Sequence, residues 1–280
     1  MTTAKAIFSI DVEEWYHAAV IERYVPRSEW PKQVLRLGHN MGVLEQRLAE
    51  QGHKATLFCL GSLPKVHHAL LRQWAERGHE VASHGMSHQK LNLLSRTALL
   101  AELRDSKKLL EDVTGQEVRG FRAPNFSITD VALECLQEAG YGYDSSVFDL
   151  KLHKNYGKLQ QHVTMSRPYA IRPGLIELPL SVLPWAGFQL PWSGGAYFRH
   201  FPTNFFVRGA EFLAKSGYYH FYIHPWEVDC AHPQPKGMKK LDKIRHFRNI
   251  EKSEERLKLL LTKLEFDTAA QFMAQWQAAH

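Results

Sequence analysis

The feature that most constrains this chain is an alternation of short, β-branched or aromatic runs with longer amphipathic runs. A strand-length apolar stretch at 7–11 is followed by a helical pattern at 43–50, and the pairing recurs at 55–60 with 66–75 and at 80–83 with 95–113. Beyond Phe121 come a helical pattern at 128–138 and a strand at 141–144. Strands joined by helical crossovers lie parallel, so the rhythm predicts an α/β fold with a mainly parallel sheet covered by helices. The helix near residue 100 reads clearly. Leu99, Leu100, Leu103, Leu109, Leu110 and Val113 form an apolar stripe, Glu102, Arg104, Asp105, Lys107 and Lys108 lie elsewhere, and Gly115 provides the stop.

Further on, the pattern predicts a helix at 204–216, a strand at 219–223 and a long amphipathic helix reaching Lys263 within a helical segment of about 240–280. Between 149 and 202 the rhythm gives way to Pro-, Gly- and aromatic-rich sequence. Loops this long are functional or disordered, and Phe148, Trp185, Phe188, Trp192, Tyr197 and Phe198 carry too much apolar surface for disorder. With 280 residues, 44% hydrophobic, and no repeat or low-complexity linker, residues 1–280 are expected to form one domain.

Composition excludes several classes. Cys59, Cys135 and Cys230 are odd in number and lack a Cys-x-x-Cys pair, which argues against a disulfide framework and a zinc-thiolate site. No apolar run is long enough for a membrane span, and the opening residues lack the pattern of a secretory signal, so the chain is expected in the cytoplasm. The net charge of +6 is modest, with basic residues of 236–263 interleaved with acids, and no nucleic-acid partner is expected.

Parallel α/β folds build their sites where strands end. Four predicted strand ends carry polar groups: Asp11-Val12-Glu13-Glu14, His84 to His88, Arg122-Ala123-Pro124, and His224-Pro225-Trp226-Glu227. Histidines four apart face one metal if their segment makes a helical turn, which suits His84 and His88 beside Gly85. His220 and His224 share that spacing, but in a strand their rings stand roughly 13 Å apart, too far for one ion. Asp11 and Glu13 point the same way in an extended chain. They complete a two-histidine, one-carboxylate set, or else begin an exposed acidic helix. Arg122 is either a surface base or a buried clamp that pins a carboxylate bidentately.

In this order the motifs resemble the polysaccharide deacetylases of carbohydrate esterase family four, the NodB homology domain, over nearly the whole chain. The nearest likeness is to the subgroup of exosortase and exopolysaccharide loci, through Asp-Val-Glu-Glu-Trp (11–15), Trp-Ser-Gly-Gly-x-Tyr-Phe-Arg (192–199) and His-Pro-Trp-Glu (224–227). The resemblance implies a distorted seven-stranded (β/α) barrel and a hydrolase that removes the acetyl group from an N-acetylated sugar in a polysaccharide or its precursor. It implies Asp11 as base, His84 and His88 as metal ligands, Arg122 as the group orienting the base, and His224 as acid. The family's metal-binding aspartate follows the base directly, whereas here Val12 intervenes. The third ligand is therefore assigned to Glu13, which shares a face with Asp11, with Glu14 as the fallback. The family's tyrosine after Arg-x-Pro is Asn125 here, and its Leu-x-His is Tyr222-Ile223-His224.

One divalent ion is implied, zinc by resemblance, although the ligand types also admit Fe, Co, Ni or Mn. Trp192, Tyr197 and Trp226 either present flat faces to a sugar or pack the loop, and Arg199 and Asn125 could donate hydrogen bonds to substrate. A carboxylate beside His224 would keep it protonated; Asp144 is one candidate, or it is structural. Two other functions compete: hydrolysis of a cyclic imide or ureide, and non-catalytic carbohydrate binding. The C-terminal helix either covers the barrel or supports a homo-oligomer.

Overall fold

The computed structural model describes residues 6–148, 159 and 167–279, so part of the predicted 149–202 loop region lies outside the described residues. Eleven strands are present among them: β1 (Ala6–Val12), β2 (Thr56–Cys59), β3 (Glu80–Ser83), β4 (Gly120–Phe121), β5 (Tyr143–Asp144), β6 (Tyr169–Arg172), β7 (Leu175–Glu177), β8 (Val182–Trp185), β9 (Phe188–Pro191), β10 (His220–Ile223) and β11 (Phe266–Asp267). The main sheet runs β10-β1-β2-β3-β4-β5-β7-β6, and its first seven members are parallel. β6 is antiparallel to β7, and β11 pairs with β1. The sheet curls into a half-barrel, the distorted (β/α) barrel expected. At the β10 edge the curl is met by irregular chain, with Tyr222 N–H donating to Ser193 O at 3.0 Å and Gly194 bridging Tyr222.

Every residue of β1 is buried, as the alternation of a strand covered on both faces requires. Phe8, Ile10 and Val12 belong to the large core shared with the helices, together with Leu57, Val81, Leu103 and Phe221. Ile7 faces the concave side, in a second cluster with Phe58, Ala82, Tyr143, Leu178 and Tyr218 that the C-terminal helix Ala269–Ala279 closes with Phe272 and Met273. That helix plugs one end of the half-barrel with apolar side chains. The polar residues of the concave face, Ser9 and Asp11, therefore sit progressively nearer the other end.

Local signals placed most elements within a few residues. Ser95 caps the helix Arg96–Thr114 by accepting from Ala98 N–H, and Gly115 ends it at φ 70°. The helix predicted from 43 begins at Leu37 instead, because its first amide groups, Arg36 N–H and Leu37 N–H, donate to the carboxylate of Glu14 more than twenty residues away. The long helix predicted up to Lys263 is broken. It consists of Lys240–Phe247, a 3-10 turn at Ile250–Lys252 and Ser253–Lys263, with Asn249 left-handed (φ 58°) at the break, and β11 then interrupts the predicted 240–280 helical segment. The described part of the predicted loop is ordered structure: the β6–β7 and β8–β9 hairpins and the helix Gly195–His200.

Candidate metal and acid–base site

The polar clusters stand at the ends of parallel strands: Asp11 in the last two residues of β1 with Glu13 just past it, His84 just past β3, Arg122 just past β4 and His224 just past β10. Parallel neighbours bring these ends to one rim, where a cleft of about 730 Å3 opens over Asp11, Glu13, His84, His88 and His224.

Glu13, His84 and His88, all buried, offer one ligand atom each, and the three atoms lie within 4.8 Å of one another. The His84–His88 segment is an irregular loop rather than the helical turn expected. Gly85 (φ 80°) and His88 (φ 55°) are both left-handed, and Glu102 holds the loop by accepting from Met86 N–H, Ser87 N–H and the Ser87 hydroxyl. His84 donates from Nδ1 to Arg122 O at 2.8 Å, which leaves Nε2 as a lone-pair donor. Burial lowers the His84 pKa to about 4, so the ring is neutral at pH 7.

His88 Nε2 and Glu13 Oε2 approach to 2.8 Å, yet the buried Oε2 has no hydrogen bond of acceptable geometry. An orphaned carboxylate oxygen between two imidazoles is the donor set of a two-histidine, one-carboxylate ion site, so these residues fit a divalent metal. Burial would raise the Glu13 pKa, but the nearby charges of His88 and His224 outweigh it and hold it at about 2. Glu14 turns away, its oxygens spent on Arg36, Leu37 and, at 3.3 Å, His67 Nε2.

Asp11 stands beside this set, clamped by the fully buried Arg122. The clamp is not the bidentate fork expected: Nη1 alone reaches Asp11 Oδ1, at 2.6 Å. The remaining donors go to Ser9 Oγ, Ser145 O and Oγ, and His220 Nε2, at 3.0 to 3.1 Å. The guanidinium also lies 4.0 Å from the Phe58 ring centroid. His220 is thus a neutral acceptor beneath Asp11, its pKa pushed far down by burial and Arg122.

His224 comes from the opposite edge. Its Nε2 is 3.5 Å from Glu13 Oε1 and 3.8 Å from Asp11 Oδ2, while Nδ1 lies 3.2 Å from Glu227 Oε2. Burial alone would lower its pKa; Glu227, aided by Glu13 and Asp11, raises it to about 9. For Glu227 burial raises the pKa, and His224 and Arg199 reverse this to about 2.

The partner carboxylate is therefore Glu227. Asp144 bonds Ser146 Oγ at 2.5 Å and is paired with Glu177 inside the sheet, burial raising both of their pKa values. Arg199, expected to reach substrate, forks onto Glu227 Oε1 (3.1 and 3.2 Å) and donates to His246 O and Arg248 O. Gly195 permits this assembly, since a Cβ there would overlap the Glu227 carboxylate.

Trp192 is fully buried, stacked with Phe206 (5.1 Å, 7°) and Phe201, so it is a core residue and not a sugar platform. Trp226 turns a face to the His224 ring (4.4 Å, 18°). Asn125 and Tyr197 line the cleft, Asn125 in a left-handed conformation (φ 54°). Sequence reasoning gave no role to Glu227, His220 or His17. Glu227 was signalled by its place three residues after His224, the spacing of a capping box, which the structure contains.

Two family models match segments of the chain: residues 38–143 match "polysaccharide deacetylase", and 145–274 match a domain of unknown function, DUF3473. A peptidoglycan deacetylase of Helicobacter pylori is 30% identical over 43% of this chain and 36% of its own length. A chitooligosaccharide deacetylase of Rhizobium leguminosarum bv. trifolii is 32% identical over 32% of this chain and 44% of its own length. The chain thus aligns with less than half of each of these curated relatives. Among solved structures, a Mycobacterium smegmatis protein assigned as a polysaccharide deacetylase superposes with a TM-score of 0.63 at 18% identity, covering 99% of this chain and 91% of that one. At that identity the likeness speaks for the fold. Strands β2–β5 of the first matched segment share the main sheet with β6, β7, β10 and β11 of the second, β8 and β9 pairing apart from it, and the second segment contributes His224, Glu227 and Arg199.

Proposed function

The chain carries a polysaccharide deacetylase domain, and from that premise we propose that it is a metal-dependent N-deacetylase acting on the acetamide of an N-acetylated sugar. The observation that carries the reading is the meeting of two differently charged histidine sites at one carboxylate pair: neutral His84 at the ion position and protonated His224 across the cleft, both near Asp11 and Glu13. Binding a sugar requires neither. Glu13, His84 and His88 would hold one divalent ion, zinc by family resemblance, which supplies Lewis acidity toward a water and the amide carbonyl.

Asp11, its Oδ1 fixed by Arg122, accepts the proton of the attacking water through its free edge. His224 gives its proton to the departing nitrogen, since an amide nitrogen leaves poorly as an anion, and Glu227 with Arg199 keeps that proton in place beforehand. The Asn125 amide, at the cleft wall, is assigned as a donor to the carbonyl oxygen. Tyr197 offers the cleft an aromatic wall for a sugar ring. The cleft's volume and its polar, charged lining suit a glycan unit rather than the small closed pocket an imide ring calls for.

The test is acetate release from N-acetylated sugar oligomers by protein stripped of metal and reloaded with zinc, alongside metal content by mass spectrometry. The reading expects about one ion per chain and activity that follows it. Reloaded protein that opens cyclic imides and releases no acetate would overturn it.

A further inference from the structure

His17 lies in the turn immediately beyond the ion site, and nothing in the proposed reaction uses it. It is the third residue of the 3-10 turn Trp15–His17, where the backbone N–H of Glu14 donates to its Nδ1 at 3.0 Å. An amide N–H can only donate, so Nδ1 must be the acceptor and the proton of the neutral ring sits on Nε2. The ring is wedged edge-on against Trp30 (4.5 Å) and Tyr16 (4.7 Å), only 4% exposed, and its centroid is 5.3 Å from that of His88. It also lines the cleft. Nε2 has no hydrogen-bond partner among the described residues, yet unlike His88 Nδ1 it is not sealed in the interior.

We propose that His17 is a tautomer-locked Nε2–H donor that grips an acceptor oxygen of the substrate's acyl group or sugar beside the ion position. This rests on the reading of the cleft as a deacetylase site. Glu13 and His17 have the four-residue spacing of a ligand pair, but the backbone bond to Nδ1 rules out that role: an imidazole whose Nδ1 accepts a proton from an amide carries its own proton on Nε2 and has no lone pair there for a cation. The donor is preorganised, since the cap, Tyr16 and Trp30 fix the ring before anything binds.

Nitrogen-15 NMR of the histidine rings in metal-free protein should show His17 protonated on Nε2 alone, and adding acetate to zinc-loaded protein should shift that signal. Protonation on Nδ1, or coordination of His17 to cadmium substituted for zinc, would overturn the proposal. His17→Asn separates capping from donation, because its side-chain oxygen can still accept from Glu14 N–H while the Nε2 donor is gone. That variant should keep its metal and its melting temperature and bind acetohydroxamate about 10-fold more weakly. Unchanged probe affinity in a folded His17→Asn protein refutes the donor and leaves the deacetylase reading standing. If the wild type deacetylates nothing while the probe affinity still depends on His17, the donor stands and the reaction assignment falls. Should the variant fail to fold, the ring-nitrogen spectrum of the wild type alone decides.

Discussion

The cleft contains two histidine–carboxylate pairs built from the same residue types and driven to opposite protonation states. On one side, His84 is buried near Asp11 and Glu13, yet it donates Nδ1 to a backbone carbonyl and feels Arg122 and His88, so burial wins and its pKa falls to about 4. On the other, His224 is partly open to the cleft and receives Glu227 directly on Nδ1, so the carboxylates win and its pKa rises to about 9. The charge of a histidine here is set by what occupies its second nitrogen: a carbonyl at His84 leaves a neutral ring with a lone pair on Nε2, a carboxylate at His224 holds a protonated one.

The most severe break is on the ligand side. His84→Ala should abolish stoichiometric metal binding and cut acetate release by at least about 1000-fold, read by metal analysis and steady-state kinetics. Next comes Glu227→Gln, which removes the charge that keeps His224 protonated while preserving shape. Metal content should stay intact, kcat should fall on the order of 100-fold at neutral pH, and the alkaline limb of the pH profile should move from near pH 9 toward the ordinary histidine range.

A smaller effect concerns stability. Glu227, held near 2, contributes stability that is lost as pH falls from about 4.5 toward 2; His224, held near 9, contributes stability that is lost as pH rises from about 6.5 through 9. Glu227→Gln should therefore lower the melting temperature most between pH 4.5 and 6.5 and progressively less on either side, which a pH series of thermal melts checks. The smallest effect sharpens the assignment of the carboxylate: Asp144→Asn should leave the alkaline limb where it is, because Asp144 is engaged with Ser146 and Glu177 instead of His224. A shifted limb in that variant would restore Asp144 as the partner of His224.

Much of this arrangement was legible in the sequence. The alternation of strand and helix patterns fixed the parallel order, and in such a sheet the residue just past each strand faces the common rim whatever the loops do. His84, Arg122 and His224 were readable for that reason, and Asp11 as a carboxylate in the last two residues of β1. Glu13 was readable by the two-residue period of an extended chain, which separates it from Glu14. Tertiary structure alone decided which charge meets which. Glu14 became the cap of a helix beginning at Leu37, Glu227 rather than Asp144 reached His224, Arg199 turned inward to hold that glutamate, and Trp192 went into the core. These outcomes depend on close approaches between segments distant in sequence, such as Glu227 passing over Gly195, where one Cβ would forbid the contact. A buried charge takes whatever partner the packing brings within hydrogen-bonding reach, and periodicity along one strand carries no information about that distance.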